Sequence, residues 1–257
     1  MTMYLFLALL GGICGFFSGL LGIGGGIIMA PLLLYVPPML GFAPLSMHTV
    51  AGLTIVQGMV ACISGVIVHK RFNSVSGRLA GWMGGVVFVT ALIGGAGSKF
   101  VSQRFLLAVF GFLALLAAVL LLMPQRERSS NSSLAELSFS RWRAVASAGG
   151  VGVLGGMVGQ GGSFILIPLM TSFVRIPTRI AIGSNLAIVL LSTVAGFAGK
   201  AATGQIEWLL AIPIVITVVP AAHLGGILSH RVPVVKLRKI LGIIIVVAAV
   251  RILASAY

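Results

Sequence analysis

The chain is a succession of long apolar runs separated by short polar or basic turns. Four uninterrupted runs, at residues 46–69, 79–97, 105–123 and 182–199, each approach the roughly 20 residues a helix needs to cross a bilayer. Two further apolar stretches, at 4–36 and 142–172, are longer and are broken by glycine. The first break reads Gly22-Ile23-Gly24-Gly25-Gly26-Ile27-Ile28-Met29-Ala30-Pro31-Leu32. The second reads Gly159-Gln160-Gly161-Gly162-Ser163-Phe164-Ile165-Leu166-Ile167-Pro168-Leu169. From Gly22 and Gly159 to Pro31 and Pro168 the two keep a constant offset of 137 residues.

This pattern predicts two halves of one design, each a broken segment followed by three spanning helices. In the first half the helices fall at 46–69, 79–98 and 105–123; in the second they fall at 182–200, 207–229 and 240–256. Residues 1–123 form the first membrane repeat and 142–257 the second. Between them, 124–141 is a linker holding the one strongly polar stretch, 125–133. The first apolar run is too long for the core of a signal peptide and lacks a basic leader, so it reads as a retained segment.

Composition agrees with membrane embedding: 59% of residues are apolar and 8% are charged. The net charge of +14 comes from 17 Lys and Arg against Glu127, Glu136 and Glu207. In a soluble protein such a balance raises nucleic-acid binding. Here the basic residues lie between apolar runs, which suits membrane topology and not nucleic acid. Cys14 and Cys62 sit in apolar stretches without metal-ligand spacing and read as small hydrophobes.

The basic residues also decide between one crossing and two at each break, because short cytoplasmic loops carry the excess of Lys and Arg. If each broken segment doubles back, one face receives Lys70, Arg71, Arg78, Arg126, Arg128, Arg141, Arg143, Arg175, Arg179, Arg231, Lys236, Arg238 and Lys239. The other face receives only Lys99, Arg104, Lys200 and Arg251, a split of 13 to 4. With single crossings the same 17 residues divide 9 to 8, which is no bias. The expected fold is therefore an all-α polytopic membrane protein with an inverted structural repeat. Each half is a broken or re-entrant helical hairpin plus three transmembrane helices. Both termini lie outside and the linker in the cytoplasm. Inverted repeats with discontinuous helices are a recurrent transporter design, and the breaks mark the binding site.

The chemistry expected at the breaks is that of exposed backbone. Gly24, Gly25 and Gly26 let the chain leave helical geometry and restart near Ile27, which frees N–H groups at the new helix start. Such groups bind anions without a basic side chain. The second break adds the Gln160 amide and the Ser163 hydroxyl to Gly161 and Gly162. Pro31 and Pro168 kink or pin the restarted helices. A competing reading gives the glycines only a role in close helix packing.

Polar clusters follow each break: Ser46, His48, Thr49 and Gln57 in the first half, and Ser184, Asn185, Ser192 and Thr193 in the second. His48 and Asn185 share the offset of 137, so they are expected to face one another. Each of these residues contacts substrate or makes a helix–helix bond or cap. Lys99 and Lys200 either snorkel to headgroups or draw an anion to the outer mouth. Trp82, Trp142 and Trp208 read as interfacial anchors. There is no Asp, no Walker motif and no metal-ligand spacing, so no cofactor and no enzyme activity are expected. If transport is proton-coupled, the routes open to it are His48 and titration of the substrate itself.

A family likeness rests on these same residues. Gly19 to Gly26 with Pro31, Gly159 to Ser163 with Pro168, Ala181-Ile182-Gly183-Ser184-Asn185-Leu186, Ala195 to Lys200 and Gly204 to Trp208 together resemble the TauE/SafE sulfite exporter family. The resemblance covers essentially the whole chain. It implies a bacterial or archaeal inner-membrane permease for sulfite, sulfoacetate or related organosulfonates. His48-Thr49 departs from the family's Gly-Thr-Ser type of pattern, whereas Gly183-Ser184-Asn185 stays closer to it. The leading expectation is a secondary transporter of a small anionic sulfur compound, in lipid, as a monomer or homodimer. An uncoupled anion or small-solute channel and a non-transporting subunit are the alternatives.

Overall fold

The computed structural model describes residues 3–72, 74–122, 140–159 and 162–233, with eight separate positions from 236 to 250. The chain is helical throughout the described membrane segments. In order they are α1 (Met3–Leu21), α2 (Gly26–Met39), α3 (Met47–Arg71), α4 (Gly77–Gly97), α5 (Gln103–Leu122), α6 (Arg141–Met157), α7 (Ser163–Pro168), α8 (Thr178–Ala202) and α9 (Trp208–Ser229). Five of them are long and apolar enough to span a membrane. The linker 124–141 lies largely outside the described residues, as does most of the expected last helix, 240–256.

Local sequence sets the ends. Ser46 and Ser76 accept from the N–H of Thr49 and Leu79, capping α3 and α4. His69, Lys70 and Arg71 occupy the last turn of α3, where cations suit the helix dipole. Pro168 has no N–H to continue a regular ladder, and a π-helical turn follows at Leu169–Phe173. In the first half, by contrast, α2 runs through Pro31 to Met39.

Helices α3 and α8 form the enclosed centre of the bundle. The outer helices turn large apolar side chains outward, among them Ile93, Phe112, Leu209 and Ile216, the surface a lipid environment requires. Trp82, Trp142 and Trp208 are all exposed, consistent with anchoring at an interface.

Glycine carries the close packing between the two halves, and these contacts come in exchanged pairs. A Cβ on Gly19 would strike the Ala222 carbonyl, and one on Gly156 would strike that of Ala91. Gly22 meets Ile182 while Gly159 meets Ala51; Gly94 meets Val153 while Gly225 meets Phe16. Positions on α1 and the first break map to the second half by 137, as in 19 to 156. Positions on α3 and α4 map by 131, as in 91 to 222. The change of offset is visible in the helices themselves: α3 and α8 are both 25 residues, beginning at 47 and 178.

Candidate functional site

The two breaks meet at the centre of the bundle. In the first, Gly22, Gly24 and Gly25 have φ of 71°, 67° and 77°, backbone that L side chains rarely adopt. Gly25 is the cap of α2, and its carbonyl accepts from Ile28 and Met29 at 3.1 Å each. In the second, Gly159 and Gly162 have φ of 77° and 68°, and Gly162 caps α7 in the same way. The left-handed glycines thus recur at the offset of 137. In each break the last of them, Gly25 or Gly162, directly precedes a new helix that starts inside the bundle.

Ser163, the first residue of α7, donates its hydroxyl to the carbonyl of Ile23. Asn185, fully buried on α8, donates from Nδ2 to Gly22 O at 2.6 Å and to Ser163 O at 3.0 Å. One side-chain amide therefore ties both breaks together. These bonds satisfy carbonyls that irregular backbone would otherwise leave bare in a dry interior.

Gln57 on α3 approaches from the other side. A Cβ on Gly25 would lie 2.5 Å from Gln57 Nε2, so the amide rests against the start of α2. Gln57 is fully buried, and neither its Nε2 nor its Oε1 has a partner among the described residues. Asn185 Oδ1 and Ser192 Oγ share that condition. Buried polar atoms are overwhelmingly hydrogen-bonded in folded proteins, so the unpaired Gln57 amide against the start of α2 is an exception that calls for an explanation.

The expected site residues divide sharply. Gly24, Gly25, Gly26, Gln57, Gly162, Ser163 and Asn185 are all buried at or beside the breaks. Gln160 and Gly161 lie outside the described residues. Ser184 instead accepts from the N–H of Ser76 at 2.9 Å, joining α8 to the cap of α4. His48 is half-buried and its Nε2 bonds Val101 O at 3.2 Å; Thr49 pairs with Ser46 at the start of α3. The structure does not bring His48 to Asn185.

Two further polar groupings are buried in the bundle away from the breaks. Lys200 does not snorkel: it is fully buried and bonds Ser98 and Gln205. At the far end of α3, His69 bonds Gly19 O at 3.2 Å and lies 4.9 Å from the ring of His230. Burial, then the nearby His69 and Arg179, push the His230 imidazole down to about 4, so it is neutral near pH 7. Their signal in the sequence is the placing of a basic residue in the last turns of an otherwise apolar run.

Comparison with known proteins shows the chain's family. The model of the family described as "Sulfite exporter TauE/SafE" matches residues 7–252. A probable membrane transporter protein of Xylella fastidiosa (strain Temecula1) is 28% identical over 250 residues, covering 93% of this chain and 91% of its own. The probable membrane transporter protein YunE of Bacillus subtilis is 23% identical over 249 residues, covering 89% and 88%. A probable membrane transporter protein of Haemophilus influenzae is 24% identical over 263 residues, covering 97% of each. No solved structure matches the chain. The family's members are transporters and not enzymes, and membership points to movement of small anions across a membrane. The chain belongs to the TauE/SafE sulfite exporter family.

Proposed function

We propose that this protein is a secondary transporter of small sulfur-containing anions, such as sulfite, sulfoacetate or a related organosulfonate. It holds the anion at the paired glycine breaks near the membrane midplane. The observation that carries the reading is the meeting of the two breaks, tied together by Asn185, beside the buried and unpaired amide of Gln57. Backbone N–H groups at the start of α2 and the Gln57 Nε2 supply donors, with Gln160 and the backbone N–H of Ser163 completing the set from the second half, since the Ser163 hydroxyl proton goes to Ile23 O. An anion suits this place because all these groups donate, and the N-terminal dipole of a 14-residue helix points at it.

The same reading takes the halves, 1–123 and 142–257, as an inverted repeat, with both termini outside the cytoplasmic membrane. Its support is the 13 to 4 division of basic residues and the exchange of glycine contacts between halves. Reciprocal contacts of this kind are what a pseudo-two-fold relation produces, and alternating access follows when one repeat rocks against the other.

The test is flux into proteoliposomes with sulfite, thiosulfate, sulfoacetate, taurine and a carboxylate control. Saturable uptake of the sulfur anions with trans-acceleration is the expected result. Non-saturating conductance points to a channel, and uptake of the carboxylate alone overturns the sulfur-anion reading.

A further inference from the structure

Among the buried polar groups that the break site does not use are Lys200, His69 and Ser18. Lys200 offers the most chemistry. It lies at the end of α8, in the last turn, and its side chain has no solvent exposure. Its Nζ donates to Ser98 Oγ at 2.7 Å and to Gln205 Oε1 at 3.3 Å. Ser98 in turn donates to Gly95 O at 2.7 Å, and Gln205 Nε2 donates to Thr203 Oγ1 at 2.6 Å. Every described partner is neutral. Glu207, the acid nearest in sequence, is exposed at the start of α9.

An ammonium buried among neutral groups is costly, because nothing offsets its lost hydration except a few dipoles. It also has three N–H donors, of which two are used. A small oxyanion supplies both missing elements: an opposite charge and an acceptor. The cluster is on the face that the basic-residue count leaves nearly bare, where Lys99, exposed and next to Ser98 in sequence, is a second positive charge. It stands 15 residues beyond Asn185 on α8, about 22 Å along the helix, so it is separate from the breaks.

The exchange between halves gives a comparison. Shifted by 131, Lys200 corresponds to His69 and Ser98 to Ser229. His69 is also buried, also in the last turn of its helix and also beside the carboxyl end of a neighbouring helix, adjacent to His230. Each of the two central helices thus ends on a buried basic residue beside the carboxyl end of a neighbour.

We propose that Lys200, with Ser98 and Gln205, is a second anion-binding station, at the Lys-poor end of the bundle, which receives a small oxyanion before it reaches the breaks. This rests on the anion-transport reading above. The experiment compares the wild-type chain with Lys200→Gln, Lys200→Met and Lys200→Arg. It reads proteoliposome uptake of sulfite and sulfoacetate, and melting temperature in detergent with and without each anion. The expected result is a rise in KM on the order of tenfold for Gln and Met, the low end for a lost steering charge, with kcat largely kept and Arg partly restoring KM. Anion-dependent stabilisation shrinks in the same order. Unchanged KM in variants that fold overturns the station and leaves the transport reading standing. If the wild type transports neither anion yet is stabilised by one through Lys200, the station holds and the transport reading falls. If there is neither transport nor Lys200-dependent stabilisation, both fall. Should Met prevent folding, the comparison of Gln with Arg decides the matter, since both keep a polar donor and only Arg keeps the charge.

Discussion

The two breaks share a frame and differ in what they put into it. Both have left-handed glycines at matching places, and both start a helix inside the bundle. The first break contributes backbone alone: the carbonyls of Gly22 and Ile23 accept, and a 14-residue helix follows. The second contributes side chains: Ser163 donates across to the first break, and its helix lasts six residues before the π turn. Helix α7 is too short to present much of a dipole, whereas α2 is not. The flanking helices are just as unequal. Asn185 on α8 bonds both breaks, and its counterpart on α3 at an offset of 131, Thr54, bonds only Ala51 in its own helix. Gln57 on α3 has unpaired amide atoms, and its counterpart Ile188 is apolar. The two breaks share the geometry that opens the backbone, and the polar groups beside them differ: Asn185 on α8 bonds both breaks, and Gln57 on α3 keeps its amide unpaired.

The frame is the first thing to break, and that gives the largest effect. Gly159→Ala combines a left-handed φ, worth roughly 1–2 kcal/mol for an L residue, with a Cβ driven into the backbone of Ala51. Gly22→Ala does the same against Ile182. Both variants are expected to lose folded protein, read as collapse of the monodisperse peak on size exclusion. Equal losses in the two confirm a shared frame; survival of one and not the other shows that only one break is fixed by packing. Asn185→Ala comes next. It strips partners from two buried carbonyls, at about 1–3 kcal/mol for each group left unsatisfied. A clear drop in melting temperature in detergent is expected, and Thr54→Ala, made at its counterpart, should move it far less.

How far the sequence foretold this depends on the kind of feature. Helix existence and ends were legible to within a few residues because hydrophobic run length and Ser, Gly and basic punctuation act locally: α3 was expected at 46–69 and spans Met47–Arg71. The breaks were legible because glycine at a positive φ leaves a mark that no apolar run explains. The relation between His48 and Asn185 was not. The constant offset of 137 runs as far as Pro31 and Pro168, but the link onward to the central helix is six residues shorter in the second half. Helices α3 and α8 consequently correspond at 131. That slip carries Asn185 nearly two turns deeper into its helix than His48 and takes it to the breaks. Lys200 illustrates the other limit. Composition and position permit a lysine at a helix end to snorkel, and only the packing of α4 and the loop after α8 over it determines that it does not.

Smaller effects sharpen the division of labour. Ser163→Ala removes one bond to Ile23 and is expected to cost about 1 kcal/mol of stability, less than Asn185→Ala, while weakening transport by loosening the tie between the breaks. Ser163→Thr, which keeps the hydroxyl, should recover the melting temperature. Ser163→Gly, which makes the second break resemble the first at Gly26, should recover neither property.

Gln57 gives the smallest effect on stability and the most informative one. Two readings of a buried amide lead in opposite directions. If Gln57 is helix–helix glue, removing it leaves a partner unsatisfied and lowers the melting temperature. If its amide awaits a ligand, it has no protein bond to lose, and an apolar side chain of similar volume relieves a desolvated polar group. Gln57→Met therefore should hold or raise stability by about 1 kcal/mol in the absence of anion. The same variant should transport poorly and lose the stabilisation that sulfite or sulfoacetate gives the wild type. A fall in anion-free melting temperature, with transport intact, would assign Gln57 to packing. The donor set at the breaks would then reduce to backbone and the second half, and the inequality between the two halves would widen.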